Sequence, residues 1–270
     1  MGRMCCNFYS YSLQREITLH VLLPFLSAEN KGTSHKIQAP YPVLYLLHGG
    51  ANDCSTFERY TSVERYAQEA NIAVVLFSAE NKYYRTLETI NDGEKAKTED
   101  FSQLLHYELP EFLAAWLPIL SESEHTYLAG FSMGGYGTAF HAMLHPERFR
   151  AVGIFSGLVF QRPLVFRPLE ELNRMSEEER TAALLPELLE LMERNRQRGV
   201  KLPDAFFSIG TKDIIHFLPA FAKRWSENCS FVSTDFDSKP YAHEWTFWDR
   251  TLEEFLHWIP RTDFYAEKEV

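Results

Sequence analysis

The segment with the clearest structural signal is Thr126-Tyr127-Leu128-Ala129-Gly130-Phe131-Ser132-Met133-Gly134-Gly135. Its first half is a short apolar run that is typical of a buried strand, and the residues from Gly134 onward have the length and mixed polarity of a helix. A G-x-S-x-G pattern therefore lies where a strand passes into a helix. A turn this sharp strains the serine backbone. It also crowds the positions on either side of the serine so closely that only glycine is tolerated there. The sequence predicts a nucleophile elbow with Ser132 at its tip.

Apolar runs of the same kind recur along the chain, and helical stretches separate them. This alternation is typical of parallel strands joined by right-handed crossovers. The predicted strands are Val43–Leu47, Ile72–Phe77, Thr126–Gly130, Ala151–Phe155, Ala205–Ile209 and Phe231–Phe236. The predicted helices are Thr61–Ala70, Phe101–Trp116, Gly134–Leu144, Phe217–Trp225 and Trp248–Trp258.

Two segments depart from this alternation. Phe8–Leu23 has two apolar runs, the second with the two-residue period of a half-buried strand, and indicates an antiparallel edge hairpin. Leu158–Leu202 has prolines, a charged run and leucines at helical spacing but no strand pattern, so we expect a helical cap whose leucines pack on the body. We predict one α/β domain over residues 1–270, with a mostly parallel central sheet, this N-terminal hairpin, helices on both faces and the cap insertion at residues 158–202.

The composition limits the class of protein. Hydrophobic residues make up 45% and charged residues 24% of the chain, which excludes disordered and membrane-spanning classes. The formal charge of −10 argues against nucleic acid and anionic lipid as partners. The first ten residues lack a signal-peptide pattern, so we expect a cytoplasmic protein. The four cysteines are too few and scattered for a disulfide framework. Of these, Cys54 is expected to be a small buried residue, with a modifiable surface thiol as the alternative.

A serine nucleophile needs an imidazole to take its proton and a carboxylate to orient that imidazole. After a nucleophile elbow these residues follow in the order serine, acid, histidine. Asp213 fits the acid, because it lies on a loop directly after the strand that ends at Ile209. Asp204 precedes that strand and so lies at the wrong edge of the sheet. Asp235 and Asp237 remain open as alternatives.

The predicted base is His243, which lies between the last predicted strand and the terminal helix. His216 follows Asp213 too closely, and His257 lies within an aromatic helix. His141 and His145 precede the acid, which contradicts the expected order. The other histidines carry no motif.

The negative charge that develops on the substrate oxygen requires two backbone N–H donors. Met133 provides one because it follows the nucleophile, and His48-Gly49-Gly50, after the first predicted parallel strand, provides the other through Gly50. His48 itself is expected to brace this loop. The sequence has no zinc, EF-hand or phosphate-loop motif, so we predict neither a metal nor a cofactor.

Further motifs accompany the elbow in a fixed order. They are Leu47–Gly50, Glu64–Ala67, Glu108–Pro110, Gly130–Gly137, Pro146–Phe149, Ser156-Gly157, Gly210–Asp213, His243–Trp245 and Trp248. Together they resemble the esterase D and S-formylglutathione hydrolase family of α/β-hydrolases, in particular its small tributyrin and feruloyl esterase branch, over nearly the whole chain. Gly50 stands where the family usually has a larger apolar residue, and Asn91–Lys97 is more charged than the corresponding family segment. The resemblance therefore does not predict the shape of the pocket.

The resemblance implies an α/β-hydrolase fold and a triad of Ser132, Asp213 and His243 that hydrolyses short acyl esters without a cofactor. The expected partner is a small-molecule ester. Thioester hydrolysis and a catalytically silent binding protein are the alternatives. The sequence does not identify the acyl and alcohol groups, because the cap varies among relatives. A homo-oligomer is possible, but nothing in the sequence sets the number of subunits.

Overall fold

The structure is a computed structural model that describes residues 1–25, 37–89, 97–161, 169–236 and 238–263. Within these ranges, eight strands form one sheet in the order β1-β2-β4-β3-β7-β8-β9-β10, and β5 pairs with β6. The pairs β1·β2 and β2·β4 are antiparallel, and every later pair in the large sheet is parallel. The strands are β1 (Gly2–Ser10), β2 (Arg15–Leu23), β3 (Val43–Leu47), β4 (Ala73–Phe77), β5 (Leu87–Thr89), β6 (Lys97–Glu99), β7 (Thr126–Phe131), β8 (Ala151–Phe155), β9 (Asp204–Ser208) and β10 (Val232–Asp235).

The central strands are continuous apolar runs because both of their faces are covered. Every residue of β3, β4, β7, β8 and β9 is buried. Parallel strands with helices on both sides have this composition. The mostly parallel sheet is therefore confirmed.

Two hydrophobic clusters, one on each side of the sheet, attach the helices to the sheet. One contains residues of α4, α5, α8 and α9, and the other contains residues of α1, α2 and α10. The helices are α1 (Thr56–Tyr60), α2 (Val63–Glu69), α3 (Phe101–Gln103), α4 (Leu109–Trp116), α5 (Met133–Leu144), α6 (Leu169–Asn173), α7 (Glu177–Ala182), α8 (Pro186–Gln197), α9 (Leu218–Ser226) and α10 (Trp245–Trp258). Among these described helices, none has the length and apolarity needed to cross a bilayer.

Several predicted boundaries differ from the structure. The edge hairpin is confirmed, but its first strand, β1, begins at Gly2 and not at Phe8. The sequence did not indicate this beginning, because most residues of β1 face solvent and give no apolar pattern. The predicted helix Phe101–Trp116 contains a π-helical turn over Leu104–Glu108. This turn ends two residues before Pro110, which has no backbone N–H to donate. The short β5·β6 hairpin was not predicted, and residues 91–96 of the charged segment Asn91–Lys97 lie outside the described residues.

Helices follow β8 where the cap was predicted. The segment contains α6, α7 and α8, together with a single bridge between Phe160 and Leu184. Leu184 and Leu188 are buried in the same cluster as α5, and Leu191 packs against it. These leucines therefore attach the segment to the body, as expected.

Candidate active site

The turn between β7 and α5 places Ser132 in a strained conformation. Its φ is 55° and its ψ is −116°, a combination that is rare for a residue with a side chain. A Cβ at Gly134 would lie 2.1 Å from the carbonyl oxygen of Leu47, and a Cβ at Gly130 would lie 2.6 Å from the backbone of Gly134. The elbow can form only because glycines let α5, β7 and the end of β3 approach this closely.

Three side chains that are far apart in the sequence meet at the carboxyl edge of the parallel strands. The Ser132 hydroxyl lies 3.0 Å from Nε2 of His243, and Nδ1 of His243 lies 3.0 Å and 3.1 Å from the two carboxylate oxygens of Asp213. An ionised carboxylate can only accept, so Nδ1 carries the proton and Nε2 is free to accept the hydroxyl proton. Ser132 and His243 are both half-buried. The arrangement can therefore activate a hydroxyl that a ligand can reach.

Asp213 is fully buried, yet it is held in its charged form. Its Oδ1 accepts the backbone N–H of Ile215 at 2.9 Å, and its Oδ2 accepts the hydroxyl of Ser156 at 2.6 Å. Burial alone would raise the pKa of Asp213, but His243, Ser156 and Ile215 together lower it below its ordinary value. A carboxylate in this state accepts the Nδ1 proton of His243 and so orients the imidazole.

Ser156 and Trp248 are two further residues of the site, and the sequence alone predicted no role for either. Trp248 donates its indole N–H to the Ser156 hydroxyl at 3.3 Å and packs edge-on against the ring of His243, with centroids 4.9 Å apart. Ser156 itself has a φ of 45°. The only signals in the sequence were the Ser156-Gly157 motif and Trp248 among the family motifs, because the contacts join segments that are distant in the chain.

The competing carboxylates have other partners or lie outside the described residues. Asp204 begins β9, at the opposite end of that strand from Asp213, and pairs with Arg150 at 2.5 Å. Asp235 pairs with Lys239 at 2.8 Å. Asp237 lies outside the described residues. Of the described candidates, Asp213 is thus the carboxylate that contacts His243.

The competing histidines also have other contacts. His141 and His106 are buried together, with 3.1 Å between His141 Nδ1 and His106 Nε2, and Nε2 of His141 donates to the carbonyl of Tyr84. His257 donates to a carbonyl within its own helix. Among the described residues, no cluster of three or more histidine, cysteine or acidic side chains could hold a metal ion.

The loop after β3 lies against the elbow. His48 braces it as predicted: Nδ1 donates to the Gly49 carbonyl at 2.7 Å, and Nε2 accepts the N–H of Ala79 at 2.9 Å. Burial lowers the pKa of His48, which keeps the ring neutral for these two bonds. Gly50 follows in an exposed turn, and Met133 is the first residue of α5. The assignment of their amides to the oxyanion remains a prediction.

Cys54 lies further along the same loop and is buried, and burial raises the pKa of its thiol. This agrees with the expected role as a small buried residue. The four cysteines are all free thiols.

A cleft of about 680 Å³ lies near the turn between β7 and α5. Two of its lining residues, Tyr136 and Leu158, donate their backbone N–H groups to the Ser132 carbonyl at 3.0 Å and 3.1 Å. Its other walls include Asn81, Tyr83, Leu87, Phe160 and Leu185. At its polar side, Arg85 pairs with Glu187 at 3.5 Å. The cleft could seat an organic group near the elbow.

Comparison with known proteins gives a consistent picture. The model of the Esterase family matches residues 10–268. An acetyl esterase of Caldicellulosiruptor saccharolyticus is 23% identical over 97% of this chain and 99% of its own length.

Solved structures with similar folds include a substrate-bound, fluorophosphonate-binding serine hydrolase of Staphylococcus aureus, with a TM-score of 0.74, 22% identity and coverage of 96% of this chain and 98% of that one. An S-formylglutathione hydrolase from the same organism has a TM-score of 0.72 at 20% identity, with the same coverage. A ferulic acid esterase of Anaeromyces mucronatus in complex with ferulic acid has a TM-score of 0.61 at 18% identity, covering 98% of this chain and 91% of that one. These likenesses show an α/β-hydrolase fold.

Proposed function

Because the chain belongs to the Esterase family and is a carboxylic ester hydrolase, we propose that it hydrolyses short-chain acyl esters through an acyl intermediate on Ser132. One observation carries this proposal. The Ser132 hydroxyl, the His243 imidazole and the Asp213 carboxylate form a continuous line of hydrogen bonds, each 3.0–3.1 Å long. These are the contacts that activation of a serine hydroxyl requires.

In the proposed first step, the Ser132 oxygen attacks the ester carbonyl carbon while its proton passes to Nε2 of His243. Asp213 stabilises the resulting imidazolium. The amides of Gly50 and Met133 hold the negative oxygen of the tetrahedral intermediate, a role in which one donor is typically worth about 2.7–4 kcal/mol. The intermediate collapses, the alkoxide leaves, and the proton on Nε2 converts it to the free alcohol.

In the second step a water molecule attacks the acyl carbon of the ester on Ser132. His243 takes a proton from that water and returns it to the Ser132 oxygen as the carboxylic acid leaves. The enzyme regains its starting state, and no external electron carrier is needed. Both steps use the same proton route, which is why His243 must contact the hydroxyl and the carboxylate at once.

The cleft near the elbow supports a substrate with at least one organic group larger than acetyl. A volume of about 680 Å³ is within the range of small-molecule sites. We propose that the short acyl group lies at the elbow and that the alcohol portion extends along Tyr136 and Leu158. The acetyl esterase among the relatives agrees with a short acyl group.

The test is turnover of p-nitrophenyl acetate and p-nitrophenyl butyrate by the wild type, Ser132→Ala and His243→Ala. We expect both variants to lose several orders of magnitude in kcat, because members of such a triad act as a unit. Equal rates for the wild type and Ser132→Ala would refute the proposal. A glutathione thioester is assayed in parallel, and a higher kcat/KM for it than for every oxygen ester would assign the site to thioester hydrolysis instead.

We propose on the same basis that residues 1–270 act as a single domain, with a small-molecule ester as substrate. A cytoplasmic location is a further proposal, supported by the four free thiols. Cell fractionation with an antibody against the chain tests the location.

A further inference from the structure

Lys239 is an unusual residue in the loop that leads to His243. Its exposed fraction is only 8%, although lysine is almost never buried unless its charge is paired. It lies four residues after Asp235, the last residue of β10, and four residues before His243.

The side chain of Lys239 joins two elements on either side of this loop. Its ammonium lies 2.8 Å from Oδ2 of Asp235, at the end of β10, and it also forms an ion pair with Glu254 on α10. It lies 5.5 Å from the centre of the Phe247 ring, which is also on α10. Burial alone would raise the pKa of Asp235, but the hydrogen bond from Lys239 contributes most to lowering it. The lysine therefore neutralises two carboxylates where β10, the loop and α10 meet.

The backbone at the same position joins the loop to the segment that carries Asp213. The carbonyl of Lys239 accepts the N–H of Thr211 at 2.8 Å and that of Tyr241 at 2.8 Å. The carbonyl of Tyr241 in turn accepts the N–H of Lys212 at 3.0 Å. A Cβ at Gly210 would lie only 2.1 Å from that carbonyl oxygen, so the two segments pack at the closest distance that glycine permits.

From these contacts we propose that Lys239 is a positioning residue for the reaction proposed above, on which this inference rests. Its two ion pairs fix Lys239 between β10 and α10, and its backbone carbonyl joins the Lys239–His243 segment to the Gly210–Asp213 loop. This fixes the distance at which the imidazole contacts both the carboxylate and the Ser132 hydroxyl. Lys239 touches neither the substrate nor the reacting atoms, so its effect passes entirely through the placement of His243.

Loss of the ammonium leaves Asp235 and Glu254 without their shared cation, and the loop loses its ion pair with α10. Displacement of a catalytic group by about 1 Å can lower the rate by about 100-fold. For Lys239→Met we expect kcat for p-nitrophenyl acetate to fall about 10- to 100-fold, while KM changes less than two-fold because the cleft lies on other segments. Lys239→Arg keeps the charge and should recover most of kcat.

The matched control is Lys223→Met, which also removes an ion pair between a lysine and a glutamate, here Glu177 on the surface of α7. It should leave kcat at the wild-type value. If Lys239→Met does not fold, Glu254→Gln carries the same test, because it removes one of the two ion pairs while keeping a polar side chain. A several-fold lower kcat with unchanged KM is expected for it.

A second readout separates positioning from stability. The proton on Nδ1 of His243 should give a low-field NMR resonance, identified by its loss in His243→Ala. We expect it to broaden or disappear in Lys239→Met and to persist in Lys223→Met. An intact resonance together with wild-type kcat in folded Lys239→Met would overturn the inference, even if that variant melts at a lower temperature. Because the resonance is observed without substrate, it tests Lys239 even if the wild type fails to hydrolyse esters.

Discussion

Substitution of Ser156 by alanine should weaken the site without touching any of the three residues of the proposed triad. The hydroxyl donates to Oδ2 of Asp213 at 2.6 Å and accepts the indole N–H of Trp248 at 3.3 Å. Alanine removes both bonds and leaves the side chain of Asp213, which has no exposed surface, with one donor fewer. Both the stability of the fold and the rate of hydrolysis should respond.

The magnitude follows from the charge on the acceptor. A hydrogen bond to a charged group contributes about 1.5–3 kcal/mol. The free energy of unfolding should fall by that amount, which corresponds to a decrease in Tm of about 3–12 °C at roughly 2–4 °C per kcal/mol for a domain of this size. If about 1.4 kcal/mol of the bond is also lost from the transition state, kcat falls about ten-fold.

Urea unfolding and p-nitrophenyl acetate turnover measure the two effects. Ser156→Gly should show the same decrease in kcat as Ser156→Ala. Its decrease in stability should be smaller, since glycine adopts the φ of 45° without strain. The control is Ser226→Ala, whose hydroxyl bonds an exposed carbonyl on α9 and whose loss should change stability by less than about 0.5 kcal/mol. Wild-type stability and kcat in Ser156→Ala would refute the reasoning.

Three further outcomes are expected. Asp213→Asn should lower kcat about 10⁴-fold through the wrong imidazole tautomer, and near-full activity would contradict the assignment. Gly50→Ala should keep near-wild-type kcat because its Cβ would meet only a side-chain oxygen at 3.6 Å, whereas Gly134→Ala should abolish activity or folding because its Cβ would meet backbone at 2.1 Å. Burial lowers the pKa of His141 to about 4 from 6.5, so the unfolded chain protonates first and this group should contribute a loss of about 1.4 kcal/mol of stability per pH unit between pH 6.5 and 4. Urea unfolding should give a shallower pH dependence for His141→Gln, and an unchanged slope would contradict this.

The elbow could be predicted because its signal is local. Gly130, Ser132 and Gly134 lie within five residues, and the apolar run before them and the helix after them are visible in the same segment. Asp213 and His243 could be proposed because each follows a recognisable strand, and parallel strands bring their carboxyl ends to one edge. The same reasoning placed Asp204 at the other edge, where the structure has it.

Other features depend on contacts between distant segments and left no local pattern. Ser156 is one serine among many until the fold brings it within 2.6 Å of Asp213. From the sequence alone, Lys239 would be expected on the surface, because its burial depends on a carboxylate from α10 as well as one from β10. The beginning of β1 was missed for the opposite reason: as an edge strand it faces solvent, so its residues need no apolar alternation.

The most direct test of a covalent route through Ser132 is the mass of the protein quenched in acid during turnover of p-nitrophenyl acetate. The wild type should gain the mass of one acetyl group, and peptide mapping should place that group on Ser132. Ser132→Ala should gain none and release p-nitrophenol several orders of magnitude more slowly than the wild type. An acetyl group on another residue, or full turnover by Ser132→Ala, would contradict the account.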